Sequence, residues 1–227
     1  PEFKKIKHSV NLSYLILIFF ICNSLSSQED LGDIVVTPHR SLVELNKVGS
    51  SVLLINKKQI DSSASTTTSG ILQEFGGFSV ASKGNKGTDP SYFNRGLSRK
   101  YIKVLIDGMD LSDITSTQEE PTYIDNINLY NIDNIEILNG SQGTLYGGNA
   151  IGGVISINSS LPEEYGLKEI NFLEAGSYGT IKNSNSFNYA NENLQLVFNL
   201  EGERATGYNS FVDTELAPTE KDGYYLY

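Results

Sequence analysis

The chain has very little of the chemistry on which most enzymes and metal sites depend. Its 227 residues include one cysteine, Cys22, no tryptophan, and two histidines, His8 and His39. A single cysteine excludes an internal disulfide and any metal site built from several cysteines. Catalysis that depends on histidine has almost nothing to work with, and no pair of carboxylates has convincing spacing for acid–base chemistry. The composition therefore argues against an enzyme.

Positive charge is also scarce. The chain carries 17 Lys and Arg against 27 Asp and Glu, which gives a formal net charge of −10. A nucleic-acid partner needs a basic face, so this balance argues against binding to DNA or RNA. The chain is instead rich in glycine and tyrosine, with 21 and 13 residues. That mixture is typical of an exported β-rich protein.

The first 26 residues have the layout of a secretory signal peptide. Lys4, Lys5 and Lys7 precede an apolar run at residues 14–21, and residues 24–26 fit the small-x-small pattern found before a cleavage site. The run is too short to span a bilayer. A buried helix is the alternative interpretation of this segment.

Short strands and one helix are predicted in the first two thirds of the chain. Residues 67–75 are predicted to form the helix, with hydroxyl side chains for its N-cap and Gly76 at the C′ position. Asp107-Gly108 is a hairpin turn signal. This alternation predicts a compact α+β domain. The predicted strands are residues 51–56, 78–80, 102–106, 135–138 and 154–157.

Two blocks of this region carry a distinctive pattern. Residues 92–96 read Y-F-N-R-G and are followed by I-K-V-L-I-D-G-M-D-L at residues 102–111. Residues 135–158 read I-E-I-L-N-G-S-Q-G-T-L-Y-G-G-N-A-I-G-G-V-I-S-I-N. Together they resemble the plug domain of TonB-dependent outer-membrane receptors, with R-G, V-L-I-D-G-x-x-L, and L-Y-G-x-x-A-I-G-G-V-I-x-I in order. The resemblance covers residues 33–160, which is about the size of a plug.

Glycine is concentrated in the second block. Residues 147–153, G-G-N-A-I-G-G, superficially resemble a phosphate loop, but they lack its Lys-Ser/Thr and do not match G-x-G-x-x-G. Glycine reaches positive φ without steric cost, so these residues are predicted to be structural and to let the loop pack against neighbouring strands. The predicted structural glycines of the plug are Gly96, Gly108, Gly140, Gly147, Gly152 and Gly153.

Residues 27–40 are predicted to be a coupling segment. Residues 34–36 are three consecutive β-branched residues, which prefer an extended conformation, and Pro38 limits how far a strand can continue. The resemblance implies a TonB box here, which an energy-transducing protein of the inner membrane captures as an added strand. A first edge strand of the plug is the alternative. The predicted TonB-box residues are Asp33, Ile34, Val35, Val36 and Thr37.

Arg95 is the predicted contact between plug and barrel. The resemblance implies that it pairs with carboxylates of the barrel wall, and a guanidinium suits such a half-buried interface because it stays charged and binds carboxylates in a fork. An exposed arginine at a strand end is the alternative. Asn139-Gly140-Ser141 stands where many members have Arg-Gly-Pro. Asn139 can hydrogen-bond at that place but cannot supply the charge.

An acidic stretch between residues 110 and 125 contains oxygen ligands of the kind that Ca²⁺ prefers. Some relatives that transport cobalamin use calcium in this general region. The spacing matches no EF-hand, and a solvated loop is the favoured interpretation, so Asp110 and Asp113 are weak calcium candidates only. No cofactor is predicted. The acidic residues are Asp110, Asp113, Glu119, Glu120 and Asp125.

After Pro162 the segments become longer. Residues 168–175, 181–190 and 194–203 are predicted strands, and in the last of them leucine and phenylalanine alternate with polar residues. Alternation between an apolar and a polar face is typical of transmembrane barrels, although each strand alone also suits a soluble sandwich. Following a plug, residues 161–227 are predicted to be the first antiparallel strands of a transmembrane β-barrel. Family barrels have about 22 strands, so the chain is expected to be truncated.

The sequence therefore predicts the N-terminal part of a TonB-dependent receptor of the Gram-negative outer membrane. Its domains are a signal peptide (1–26), a coupling segment (27–40), a plug (41–160) and the start of a barrel (161–227). The resemblance implies three partners: a TonB-type protein, outer-membrane lipid, and a scarce ligand such as a ferric siderophore or cobalamin. A secreted soluble β-rich binding module that keeps only a plug-like domain is the alternative.

Overall fold

A computed structural model describes residues 34–35, 43–47, 49–82, 88–113, 115, 121, 123–162, 164–207 and 224–226. The chain divides into two compact units, residues 1–33 and residues 34–227, and every described residue belongs to the second. No described helix is long and apolar enough to cross a membrane. The predicted features that lie outside the described residues are the signal peptide (1–26), Asp33, Val36, Thr37, Glu119 and Glu120.

Short strands and helices alternate as far as residue 159, and longer strands follow. The strands are β1 (Ile34–Val35), β2 (Val43–Glu44), β3 (Val52–Asn56), β4 (Ser79–Ala81), β5 (Ser91–Asn94), β6 (Leu97–Ser98), β7 (Ile102–Ile106), β8 (Met109–Asp110), β9 (Ile132–Asn139), β10 (Gly153–Ser159), β11 (Gly166–Ala175), β12 (Ile181–Ala190), β13 (Gln195–Ala205) and β14 (Tyr224–Leu226). The α-helices are α1 (Lys57–Ser62), α2 (Thr68–Glu74) and α3 (Gly143–Tyr146). Short 3-10 turns are formed by Leu45–Lys47, Arg99–Tyr101, Ile124–Asn126, Leu129–Asn131 and Ser177–Gly179.

A five-stranded mixed sheet in the order β3-β9-β10-β7-β8 forms the centre of the predicted plug. The middle strand, β10, is antiparallel to β9, with Ile155 opposite Ile137, and parallel to β7, with Ile155 opposite Val104. A parallel pair needs a long crossover connection, which residues 107–152 supply. The α+β prediction is confirmed, including the strands predicted at residues 135–138 and 154–157.

Apolar side chains cover both faces of this sheet. Ile137 belongs to the larger core cluster, which also contains Ile71 and Leu72 of α2. The next residue, Leu138, belongs to a smaller cluster with Tyr146 of α3. Neighbouring residues of a strand point to opposite faces, so an almost continuous apolar run in β9 serves both clusters. Each large apolar side chain buried in this way contributes about 1.5–3 kcal/mol to the stability of the fold, relative to leaving it exposed to water.

The predicted helix at residues 67–75 is confirmed as α2. Thr67 is its N-cap, and the Thr67 hydroxyl accepts a hydrogen bond from the backbone of Gly70 at 3.2 Å. Gly76 follows the C-cap, as predicted, and a Cβ there would lie 2.6 Å from the carbonyl oxygen of Leu72. The left-handed φ of +71° belongs to the next residue, Gly77. Glycine is therefore needed at residue 76 for close packing and at residue 77 for its left-handed backbone conformation.

The hairpin predicted at Asp107-Gly108 is confirmed between β7 and β8. Both residues have positive φ, 47° and 81°, as a two-residue hairpin turn of type I′ requires. The Asp107 carboxylate also accepts hydrogen bonds from the Ser159 backbone at 2.8 Å and the Ser159 hydroxyl at 2.7 Å. This turn is therefore fastened to the end of β10.

Strands β11 to β14 form a separate antiparallel sheet that remains open in the described part of the chain. One of its faces is exposed and mostly apolar: Leu167 is 75% exposed and Phe198 is 62% exposed, and Glu169, Asn171, Asn183 and Asn185 lie among such residues. The opposite face carries buried polar side chains on β12 and β13, with Lys182 at 7% and Glu203 at 4%. A soluble sheet buries its apolar face, whereas a transmembrane barrel turns that face to lipid. The prediction that the first strands of a barrel follow the plug is confirmed.

Candidate functional site

Ile34 and Val35 are the described residues of the predicted TonB box. They form β1, which is antiparallel to β2, with Val35 opposite Val43. The Val35 side chain is fully buried. In this structure the segment is therefore one strand of a two-stranded sheet. A partner that took the place of β2 would have to break a pairing of only two residues on each side.

Arg95 is exposed at the turn between β5 and β6, where its φ is 50°. The residue before it, Asn94, is buried, and its amide donates to the side-chain oxygen of Asn139 at 2.9 Å. The same amide lies 3.4 Å from the carbonyl oxygen of Gly152. Asn139 thus makes an amide–amide contact with Asn94. The contact of Arg95 with a barrel wall stays a prediction.

A partly buried charge lies a few residues further on, at Arg99. Its guanidinium forms an ion pair with Asp89 and donates to the carbonyl oxygen of Pro90 at 3.2 Å. The Arg99 side chain is 15% exposed. Since a guanidinium forms several directional bonds at once, Arg99 fixes the loop before β5 to the turn after β6.

The glycine-rich block brings the backbone close to neighbouring strands at Gly152 and Gly153. Gly152 donates its N–H to the carbonyl oxygen of Tyr101 at 2.7 Å, and a Cβ there would lie 3.1 Å from that oxygen. Gly153 has φ +139°, and a Cβ would lie 2.6 Å from the carbonyl oxygen of Leu138. The other predicted structural glycines have positive φ and lie in turns; they are Gly96, Gly108, Gly140 and Gly147.

The described carboxylates of the acidic stretch each bind nearby groups. Asp110 forms an ion pair with Lys103 and accepts from the Ser112 backbone and hydroxyl. Burial alone would raise the pKa of Asp110, but the hydrogen bonds from Lys103 and Ser112 outweigh it and lower that pKa. Asp113 accepts from the backbone and hydroxyl of Thr115. Among the residues that the structure describes, no three His, Cys, Asp or Glu side chains are grouped so as to hold a metal ion.

The predicted plug contacts the polar face of the long strands through two neighbouring side chains. The ring of Tyr130 packs on that of Phe172 in β11, with 3.9 Å between centroids and 37° between planes. The Asn128 amide donates to the Ser184 hydroxyl of β12 at 2.6 Å. Both plug residues flank the start of the Leu129–Asn131 turn. This turn is therefore a docking point between the two parts of the chain.

A buried charge cluster surrounds the docking point. Lys182 of β12 lies 2.6 Å from a carboxylate oxygen of Glu201 and 3.9 Å from one of Glu203. Its ammonium also lies over the Tyr130 ring, 5.8 Å from the centroid. Burial raises the pKa of Tyr130, and the charges of Glu174 and Glu201 raise it further, so the phenol stays neutral. The charges of this cluster belong to the strands, and Tyr130 contributes a neutral ring to it.

The sequence patterns did not identify this docking point. Tyr130 lies in a short polar segment, N-L-Y-N, without strand or helix periodicity, and its partner Phe172 lies in the other part of the chain. One signal was present: Lys182 is a lone cation on the polar face of a predicted strand. A charge that must face the inside of a barrel indicates a buried partner.

Residues 44–154 match the family described as TonB-dependent Receptor Plug Domain. The vitamin B12 transporter BtuB of Vibrio vulnificus is 30% identical over 196 residues, which is 84% of this chain and 30% of that transporter. A BtuB of Vibrio cholerae is 30% identical over 124 residues, 55% of this chain and 20% of its own length. The chain thus spans less than a third of the length of these relatives.

Solved structures share the fold. The outer-membrane ferripyoverdine receptor of Pseudomonas aeruginosa superposes with a TM-score of 0.61 at 16% identity, covering 77% of this chain and 23% of the receptor. The siderophore receptor PiuA of Acinetobacter baumannii gives a TM-score of 0.54 at 20% identity, covering 74% and 23%. In both cases the likeness extends past the plug into the long strands. By its plug domain and the strands that follow it, the chain belongs to the family of TonB-dependent receptors.

Proposed function

We propose that the chain is the N-terminal part of a receptor that imports a scarce ligand across the outer membrane. One observation carries this proposal: the plug contacts, through its Leu129–Asn131 turn, the polar face of strands whose opposite face is exposed and mostly apolar. That arrangement needs lipid outside and the plug inside. The same arrangement does not support the alternative of a secreted soluble binding module, because an exposed stripe of leucine and phenylalanine promotes association in water.

The same strands support an outer-membrane location. Leu196, Phe198 and Leu200 of β13 are all more than half exposed on one face, which suits the hydrocarbon layer of a membrane. Export would use residues 1–26 as the signal peptide. Outer-membrane lipid is thus the first proposed partner of this chain.

The proposed ligand is of the cobalamin class, with a ferric siderophore as the second choice. Vitamin B12 transporters are among the relatives that match in sequence, at 30% identity, whereas the likeness to siderophore receptors lies in the fold. No reaction is proposed, since the family consists of transport receptors. The proposed energy source is a TonB-type inner-membrane protein that pairs with β1.

Uptake by the intact receptor tests the import function. Cells that lack their own cobalamin receptor would express it, and labelled cobalamin uptake would be measured with and without a protonophore. We expect accumulation that the protonophore abolishes. A ferric siderophore would be tested in parallel. Absence of energy-dependent uptake for both ligand classes, in cells whose outer membrane contains the receptor, would overturn the proposal.

Two proline variants test the coupling role of β1. Proline removes a backbone donor and fixes φ, so Val35→Pro should interrupt a captured strand and abolish uptake, while ligand binding at the cell surface remains. Val43→Pro is the matched control, because it disrupts the same β1–β2 pairing from the other side. We expect Val43→Pro to retain uptake. Equal loss in the two variants would mean that β1 serves only as an edge strand of the plug.

A further inference from the structure

Two clefts lie between the plug and the polar face of the long strands, one on each side of Tyr130. The first cleft, about 370 Å³, is lined by the α1–α2 connection together with Glu174 and Lys182. The second cleft, about 290 Å³, is lined by the segment that follows β10 together with Lys168 and Ser186. Tyr130 lines both clefts.

The order of residues along β11 shows what separates the clefts. Glu174 lines the first cleft, Ile170 lines the second, and Phe172 between them is the residue that stacks on Tyr130. These three side chains share one face of the strand because they are two residues apart.

Strand β12 repeats the order. Lys182 lines the first cleft and Ser186 lines the second. Ser184, between them, accepts the hydrogen bond from Asn128 of the plug. The clefts are therefore divided by one partition, which consists of Tyr130, Phe172, Asn128 and Ser184.

Tyr130 is held in the partition from several sides. Its ring contacts Phe172 and lies under the Lys182 ammonium, and its carbonyl oxygen accepts from the Lys57 ammonium at 3.0 Å. Lys57 is in turn paired with Asp61 at 3.0 Å. These contacts fix both the ring and its backbone, which is what a residue that closes a path requires.

We propose that the Tyr130–Phe172 stack is a seal that stops water and small hydrated cations from passing along the polar face of β11 and β12. This rests on the proposed function, since only a closed barrel encloses such a path. Each cleft has room for several waters, because one water occupies about 30 Å³ in the liquid. Cations are favoured in the first cleft, because Lys182 is neutralised by Glu201 while Glu174 adds another negative charge.

Conductance of the intact receptor in planar lipid bilayers bathed in KCl tests the seal. The variants are Tyr130→Ala, Tyr130→Phe and the control Tyr123→Ala, which removes a second plug tyrosine of similar exposure, 52% against 41% for Tyr130. Loss of one aromatic contact shifts a two-state equilibrium by up to about tenfold. We therefore expect Tyr130→Ala to raise the mean K⁺ current by about tenfold. Tyr130→Phe, which keeps the ring, and Tyr123→Ala should stay at the parent's level.

Phe172→Ala removes the other half of the stack and is tested in the same way, so a folding defect of one variant does not decide the result. The double variant should conduct no more than either single variant, because both changes open the same partition. Parent-level current in folded Tyr130→Ala and Phe172→Ala receptors would overturn the seal, and so would equal leakage through Tyr123→Ala. Cobalamin uptake by the parent receptor is measured alongside the currents. If the parent takes up cobalamin and the variants do not leak, the seal is wrong while the import function stands.

Discussion

The carboxylate of Asp125 binds both the backbone N–H and the hydroxyl of Ser69, at 2.7 and 2.8 Å, across 56 residues of sequence. Ser69 is in the first turn of α2, where backbone N–H groups have no partner within the helix. The contact joins that helix end to the Ile124–Asn126 turn. Asp125 was grouped with a solvated acidic stretch by sequence, but in the structure it stabilises a helix terminus from a distance.

Replacing Asp125 should destabilise the plug. Asp125→Ala removes two hydrogen bonds and a negative charge at the positive end of α2, so we expect a loss of about 1–3 kcal/mol in the free energy of unfolding. This loss is measured by unfolding the parent and the variant in urea, with circular dichroism as the signal. Asp133→Ala is the matched control, because Asp133 is exposed and its recorded hydrogen bond is to the adjacent Asn134. Equal midpoints for the two variants would contradict the capping role.

A methyl group should be tolerated at one glycine of the second block and not at another. Gly153→Ala places Cβ against the Leu138 carbonyl oxygen at a φ of +139°, so we expect it to cost about 2–4 kcal/mol. Gly148→Ala meets no atom within 4 Å and should stay within about 0.5 kcal/mol of the parent. The urea midpoints of the two variants decide the matter. If both variants unfolded like the parent, the close approach at Gly153 would be unimportant for stability.

The ion pair between Asp110 and Lys103 should make stability depend on acidic pH. The pKa of Asp110 is below its ordinary value of 3.8, so folding favours the carboxylate. Its stabilising effect is complete above pH 3.8 and is lost as the pH falls through the lower, folded-state pKa. The Asn side chain of Asp110→Asn cannot titrate. The stability that this variant loses relative to the parent should therefore become smaller as the pH is lowered through this range. Thermal unfolding of both proteins across that range measures it, and a constant deficit would contradict the assignment.

Removing the buried cation of β12 should be costly. Lys182→Gln leaves Glu201 and Glu203 on a buried face without their ammonium, and breaking such a pair costs about 3–5 kcal/mol. Thermal stability of the folded receptor, read from its heat-modifiable mobility on gels, measures the loss. Lys168→Gln, at an exposed position on the same face, should have little effect. Adding Glu201→Gln to Lys182→Gln should recover part of the loss, whereas a further decrease would show that Glu201 does not depend on Lys182.

Local sequence patterns predicted the strands, helices and turns well, but they did not predict how the plug contacts the long strands. The hairpin at Asp107-Gly108 and the alternation in β13 depend on residues close together in sequence, and both were predictable. The pairing of Tyr130 with Phe172 depends on how two sheets meet, and no periodicity encodes that. A hydrogen bond of Asn139 was expected, but its partner Asn94 and the role of Asp125 were missed for the same reason, because Asn94 and Ser69 are far away in sequence from the residues they contact.

The strand order of the plug has a consequence for biogenesis. Strand β3 joins the sheet only through β9, and β7 joins it only through β10, so its two halves are connected by residues 132–159. A chain that is exported from its N-terminus releases β3 and β7 before those residues emerge. Until then the apolar sides of Ile55 and Val104 have no sheet to pack in, and such surfaces aggregate or bind chaperones. If the chain is exported as proposed, the plug cannot complete its fold before Ser159 has left the translocation channel.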